Sequence, residues 1–160
     1  MLTSRPLCLA ALLSALGFAL ISCGGGSDGP NCDIPLDTNQ FPSSTLSYAT
    51  HIVPILETNY CAADKNCSCN NAVCHGASTP ESSFSTKTLT DIFKGGELSR
   101  SNGACTIVRG DPDSSYMVQK LEGRSGERMP SPVDPRDTAP AMPQNDLDTI
   151  RQWISEGAYP

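Results

Sequence analysis

The sequence has few of the residues from which enzyme active sites are commonly built. It contains only two histidines and one tryptophan, and aromatic residues make up 6% of the chain. No Ser/His/Asp arrangement and no pair of carboxylates stands out above chance, so nothing in the sequence points to hydrolytic catalysis. We therefore expect a protein that is not an enzyme.

Positive charge and long apolar runs are also scarce. Lysine and arginine together number 11 against 17 acidic residues, which gives a formal net charge of −6 at pH 7. An acidic domain repels phosphate backbones and anionic lipids, so we expect no nucleic-acid partner. The apolar run near the N-terminus ends at Ile21 and is too short for a transmembrane helix, which needs roughly 20 apolar residues.

Residues 1–22 have the pattern of a lipoprotein signal peptide. Arg5 is their only charge, and the short apolar run follows it. The run ends in Leu20-Ile21-Ser22-Cys23, a lipobox, in which the cysteine thiol takes up diacylglycerol. We expect lipidated Cys23 to hold the protein on a membrane of the cell envelope, facing the periplasm or the cell exterior.

A flexible tether is predicted between the lipid anchor and the folded domain. It includes a glycine-rich stretch, Gly24–Pro30, which has nothing to bury. We place the tether at residues 23–46 and the folded domain at residues 47–160.

Helical spacing of apolar residues is the main pattern in this domain, and no strand pattern of convincing length is present. It predicts helices over about Thr50–Tyr60 and Thr88–Lys94, with Pro54 in the first turn of the former. A third helix is predicted to open at Asp111-Pro112, and a fourth at Asn145. The predicted fold class is mostly α, with about four short helices and long loops.

Six cysteines besides Cys23 remain after removal of the signal peptide, and they permit two accounts. An exported chain can hold disulfides, so all six could pair; alternatively, two bond a haem and four form two disulfides. Cysteine arithmetic does not choose between these accounts. The six are Cys32, Cys61, Cys67, Cys69, Cys74 and Cys105.

Cys74-His75 is the most informative pair. A c-type haem is held by two thioethers, and a histidine directly after the second cysteine is the proximal iron ligand. The preceding cysteine is Cys69, which leaves four residues between the cysteines in place of the usual two. The other interpretation is that Cys74 is disulfide-bonded to Cys69 or Cys61, and that His75 is a surface polar residue.

Zinc is a third interpretation of the same segment. Cys67, Cys69, Cys74 and His75 lie within nine residues, which is compatible with tetrahedral zinc. Neighbouring Cys74 and His75 seldom both reach one metal, however, and exported thiols tend to oxidise. We therefore favour haem over zinc.

A series of short blocks in the domain resembles the planctomycete-type cytochrome c-like domain of exported bacterial proteins. No single block is specific, but their order over about Ser47–Ala158 is. The blocks are His51-Ile52-Val53-Pro54-Ile55-Leu56, Cys61, Cys74-His75-Gly76, Lys94-Gly95-Gly96, Val108 to Met117, Lys120-Leu121, Glu127-Arg128-Met129-Pro130, Ile150 to Ile154 and Gly157-Ala158.

The resemblance implies a covalent haem c. Cys74 and either Cys69 or Cys61 would carry the thioethers, and His75 would be the proximal ligand. The Met of the Met-Pro pair, Met129, would be the distal ligand, since a thioether suits the low-spin iron of an electron carrier.

Other residues compete for some of these roles. Met142, before Pro143, and His51 are alternative distal ligands, although His51 is disfavoured by its place on the first helix. In a haem-free variant of the family, Cys105 would need a partner among Cys61, Cys67 and Cys69. The first and last helices would cross to form the core, with Trp153 at the crossing.

Two functions follow. The first is a membrane-tethered monohaem electron carrier that has a redox protein as its partner. The second is a haem-free, disulfide-stapled lipoprotein that acts as a binding module.

Overall fold

The computed structural model describes residue 32 and residues 34–60, 68–70, 74–131 and 140–160. The predicted signal peptide, the lipidation residue Cys23, and the cysteines Cys61 and Cys67 lie outside these ranges. Among the helices in the described ranges, none has the length and apolar character needed to cross a membrane.

The described part of the chain is helical and contains no strand, which confirms the predicted mostly-α class. A π-helical turn at Tyr48–Ile52 leads into the first α-helix, and a short 3-10 turn at Glu81–Ser83 precedes the second. The α-helices are α1 (Val53–Glu57), α2 (Leu89–Lys94), α3 (Glu97–Ser101), α4 (Tyr116–Glu122) and α5 (Gln144–Ser155).

The first helical segment is shifted toward the N-terminus from its predicted bounds. It begins at Tyr48, where the Ser47 hydroxyl accepts the N–H of Thr50. It ends at Glu57 because Thr58 turns extended, and its side chain donates to the carbonyl of Pro54. That carbonyl would otherwise accept the N–H of the next helical residue.

The prediction that the third helix opens at Asp111-Pro112 is wrong. The Asp111 carboxylate accepts the N–H of Ser114, and the Ser115 N–H bonds to the Pro112 carbonyl, so these residues form a separate turn. Ser115 is extended, and α4 begins only at Tyr116. Aspartate followed by proline starts a turn as readily as a helix, and here the turn is the outcome.

Helix α3 was not predicted, because Gly95-Gly96 was interpreted as a stop. Gly95 does end α2 with φ +67°, but Gly96 is also the N-cap of α3. The Ser99 hydroxyl accepts the Gly96 N–H and so closes the first turn of α3.

The core lies between the first helical segment and α5. Trp153 is fully buried, its ring centroid is 5.9 Å from that of Tyr48, and its indole N–H donates to the Tyr159 carbonyl. Ile150 and Ile154 are also fully buried on the same helix. Each such side chain contributes roughly 1.5–3 kcal/mol of burial free energy.

Residues before Ser47 pack on this core as well. Cys32 is disulfide-bonded to Cys105. The backbone carbonyl of Ile34 accepts from Arg109, and that of Phe41 accepts from the Tyr159 hydroxyl. The packed region therefore includes residues that the sequence interpretation assigned to the tether.

Candidate functional site

A pocket opens on the side of the domain formed by α3, α4 and the segment after Cys74. Its empty volume is about 590 Å³, including the part open to solvent. The lining residues used below are Cys69, His75, Phe84, Met117, Lys120 and Met129.

The imidazole of His75 is half-buried in the wall of this pocket. Its Nδ1 lies 3.0 Å from the Phe84 carbonyl oxygen, and its ring packs edge-on against the Phe84 ring. Burial lowers the pKa of His75, although the carbonyl groups of Phe84 and Glu81 act in the opposite direction. Since a carbonyl only accepts hydrogen bonds, Nδ1 carries the proton and the neutral ring keeps its lone pair on Nε2.

Backbone contacts hold this histidine in place. The His75 N–H donates to the Cys69 carbonyl, and the His75 carbonyl accepts from Thr86. The next residue is glycine for a steric reason: a Cβ on Gly76 would lie 2.1 Å from the backbone oxygen of Asn70. The turn of Cys74-His75-Gly76 thus closes directly onto residues 69–70.

Cys69 and Cys74 are both free thiols. The structure therefore contradicts the alternative in which Cys69 and Cys74 form a disulfide. Burial raises the pKa of Cys69 to about 12, and burial also raises that of Cys74. Both groups remain protonated near neutral pH, and a protonated thiol exchanges slowly with disulfides.

The partner proposed for Cys105 is also corrected. Cys105 is bonded to Cys32, 73 residues away in sequence, and not to Cys61, Cys67 or Cys69. This disulfide lies outside the pocket lining and joins the N-terminal segment to the loop before α4.

Met129 lines the pocket, and the other predicted thioether does not. The Met129 N–H donates to the Lys120 carbonyl at 2.9 Å, which fixes the loop against the end of α4. Met142 is 5% exposed and packs in the hydrophobic core. His51 lies outside the lining, where its Nδ1 accepts the Ser47 N–H.

Met117 is a pocket residue that the sequence interpretation missed. It is buried on α4 and lines the same cavity as Met129. Because Met117 belongs to the apolar stripe of a helix, its sequence position indicates an ordinary core residue. Only the cavity beside α4 shows that Met117 also lines the pocket. The described residues therefore bring two thioethers to the pocket.

A zinc site has no support in the described residues. They contain no group of three His, Cys, Asp or Glu side chains arranged to hold a metal ion. Cys67, one of the four residues considered for zinc, lies outside the described ranges.

The residues of the pocket fit a haem c. The pocket holds a neutral imidazole with its lone pair available, two thioether side chains and the free thiol of Cys69, and the free thiol of Cys74 directly precedes His75. A haem c requires an imidazole and a thioether as iron ligands and two thiols for attachment. The hydroxyl-bearing residues of the lining bond to protein partners, such as Thr86 to Asn70 and Ser99 to Gly96. They leave the apolar side chains to face a ligand.

A small all-α domain with a histidine at one wall of a pocket, directly after a free cysteine, and a Met-Pro loop at another wall has the features of a cytochrome c-like domain. Residues 72–133 match the family model of the planctomycete cytochrome C, the family that the resemblance predicted. The match includes Cys74, His75 and Met129 and begins after Cys69. No curated protein and no solved structure matches the chain.

Proposed function

We propose that this domain binds a covalent haem c in its pocket and carries single electrons, and that lipid on Cys23 holds it at a membrane. The observation that supports the proposal best is the state of His75. Its Nδ1–H is engaged by the Phe84 carbonyl, and burial keeps the ring neutral. A hydrogen bond of this kind fixes the tautomer and orientation of a histidine that ligates a metal.

Four residues would hold the group. Cys74 and Cys69 would carry the thioethers, His75 would be the proximal ligand and Met129 the distal ligand. When bound, the haem supplies an iron that changes reversibly between two oxidation states. Cys61 is the alternative to Cys69, and it lies outside the described residues.

The high pKa of the two thiols suits this role. Because Cys69 and Cys74 stay protonated, they resist oxidation to a disulfide before a haem is attached. The Cys32–Cys105 disulfide meanwhile uses, of the six domain cysteines, the two that are farthest in sequence from the attachment segment. The chain can therefore form one disulfide in an oxidising compartment and still keep these two thiols free for a haem.

The pocket walls would exclude water from the bound group. Phe84, Met117 and Leu121 supply apolar surface on two sides, and a low local dielectric favours the state of lower net charge. An apolar pocket of this kind would serve electron exchange with a redox protein partner.

Covalent attachment is the direct test. The chain is produced beside working haem-attachment machinery, and haem that survives denaturation is measured by its absorption spectrum. We expect one haem per chain, and we expect Cys74→Ser to lose covalent haem entirely. A double Cys32→Ser, Cys105→Ser variant is the matched control, since it removes two cysteines but should keep the haem.

Comparing Cys69→Ser with Cys61→Ser identifies the other attachment residue, because only one of them should reduce the covalent yield. If the wild-type chain carries no covalent haem under these conditions, electron transfer is excluded. The haem-free lipoprotein that acts as a binding module would then be the better account, with the Cys32–Cys105 disulfide as its staple.

The membrane anchor is tested separately. Cys23→Ser should move the protein from the membrane fraction to the soluble exported fraction, because the lipobox residues before it mark the lipidated cysteine. A Cys23→Ser protein that still sediments with membranes would contradict the lipid anchor without affecting the haem proposal.

A further inference from the structure

One charged side chain, Lys120, lines the pocket among otherwise uncharged groups. It lies on α4 and is half-buried. Apolar walls raise the free energy of a charge that has no partner.

Two acidic residues near Lys120 in sequence, one on α4 and one in the turn before it, have other partners. Glu122 accepts from Arg151 at 2.8 Å and also pairs with Arg124. Asp113 binds Arg151 at 2.7 Å. Within the described ranges of the chain, no carboxylate forms an ion pair with the Lys120 ammonium.

Hydroxyl groups of the pocket already have partners within the protein, either one another or neighbouring side chains and backbone. Thr106 donates to Ser99, and the Tyr116 hydroxyl accepts from Asn102. The pocket thus presents apolar surface together with one unpaired cation. That combination complements a ligand with a flat apolar body and a carboxylate at its edge.

We propose that Lys120 forms an ion pair with a propionate carboxylate of the haem, and that this pair raises the reduction potential. The inference rests on the proposed function. Oxidation adds one positive charge to the iron. An unpaired propionate stabilises that added charge, and a lysine that neutralises the propionate opposes it.

The experiment uses the haem-loaded protein and three variants. Lys120→Gln removes the charge with little change in helix propensity, and Lys120→Arg keeps the charge. Lys87→Gln is the matched control, because Lys87 is exposed and outside the pocket lining, and the variant changes the net charge equally. The reduction potential and the propionate bending bands of the resonance Raman spectrum are measured for each.

We expect Lys120→Gln to shift the oxidation equilibrium about tenfold toward the oxidised form, which corresponds to a potential lower by about 59 mV. Its propionate bending bands should move, while Lys120→Arg and Lys87→Gln stay near wild type. A Lys120→Gln potential equal to that of Lys87→Gln, or unmoved propionate bands, would overturn the ion pair and leave haem binding intact. A wild-type chain without haem would overturn both proposals.

Discussion

The two halves of this domain differ in how completely their side chains are packed and their polar groups paired. We call residues 48–57 together with α5 the frame. In the frame Trp153 and Ile150 are fully buried, and the indole N–H of Trp153 donates to a backbone carbonyl. The pocket half, formed by residues 69–70 and by the segment from Cys74 to Met129, contains two free thiols, a lysine with no ion-pair partner among the described residues, and an open cavity. Stability is therefore concentrated in the frame, and the groups capable of chemistry lie where packing is incomplete.

The glycine backbone at Gly96 forms part of the cavity wall. A Cβ on Gly96 would lie 2.6 Å from the Phe84 Cβ, so that the segments after Cys74 and before α3 approach as closely as backbone allows. The Arg109 guanidinium meanwhile stabilises the opposite side of the domain, where it donates to the Ala158 carbonyl at 2.7 Å and packs 4.2 Å over the Phe93 ring.

The largest expected effect is on the frame. Trp153→Ala should lower the free energy of unfolding by about 3–5 kcal/mol, because it leaves a large cavity in the core. Leu98→Ala at the pocket mouth should cost under about 1 kcal/mol, since Leu98 is already 46% exposed. Urea unfolding measures both. Equal losses would mean that the two halves do not differ in their contribution to stability.

A smaller loss of stability, with a large loss of haem attachment, is expected from Gly76→Ala. The new Cβ would overlap the Asn70 backbone oxygen, so the turn must shift, at a cost of roughly 1–3 kcal/mol. Gly103→Ala serves as the control: its Cβ meets nothing, but its φ of +62° is unfavourable for alanine by about 1 kcal/mol. If Gly103→Ala reduces covalent haem as much as Gly76→Ala, the effect is global instability.

The distal ligand can be identified with almost no change in stability. Met129→Leu and Met142→Leu are nearly volume-conserving and should each cost under about 1.5 kcal/mol. In the oxidised haem protein, Met129→Leu should abolish the weak long-wavelength band that arises from iron–sulfur charge transfer, and Met142→Leu should keep it. Retention of the band in Met129→Leu would turn attention to Met117, the other thioether in the pocket.

The smallest effect concerns a contact between the N-terminal segment and the frame. Hydrogen bonds from Ser44, Gln152 and Thr45 lower the pKa of Glu156 to about 2. Since the unfolded value is about 4.3, these bonds stabilise the fold above that pH, and the contribution is lost as pH falls toward 2.

At this exposed site the contribution is about 0.5 kcal/mol. Glu156→Gln should therefore flatten the decline of stability between pH 5 and pH 2 in acid unfolding curves. The control Glu97→Gln changes an exposed carboxylate on α3 and should keep the wild-type profile. An unchanged slope in Glu156→Gln would show that the contact does not contribute.

Local features of the sequence were sufficient for several predictions. The mostly-α class, the position of α2 and the start of α5 follow from apolar spacing and capping residues, which act within one or two helical turns. The Cys74-His75 pair was identified as a candidate site in the same way, because the two residues are adjacent in sequence. The family match at residues 72–133 confirms the resemblance built on these blocks.

Tertiary structure alone decided the rest. The pairing of Cys32 with Cys105 depends on two segments 73 residues apart meeting in space, which no periodicity encodes. The same holds for the methionines: Met129 lines the pocket while Met142 fills the core, although each directly precedes a proline. Which side chains share a cavity is determined by how the helices and loops pack around it, and not by the chain order that a sequence displays.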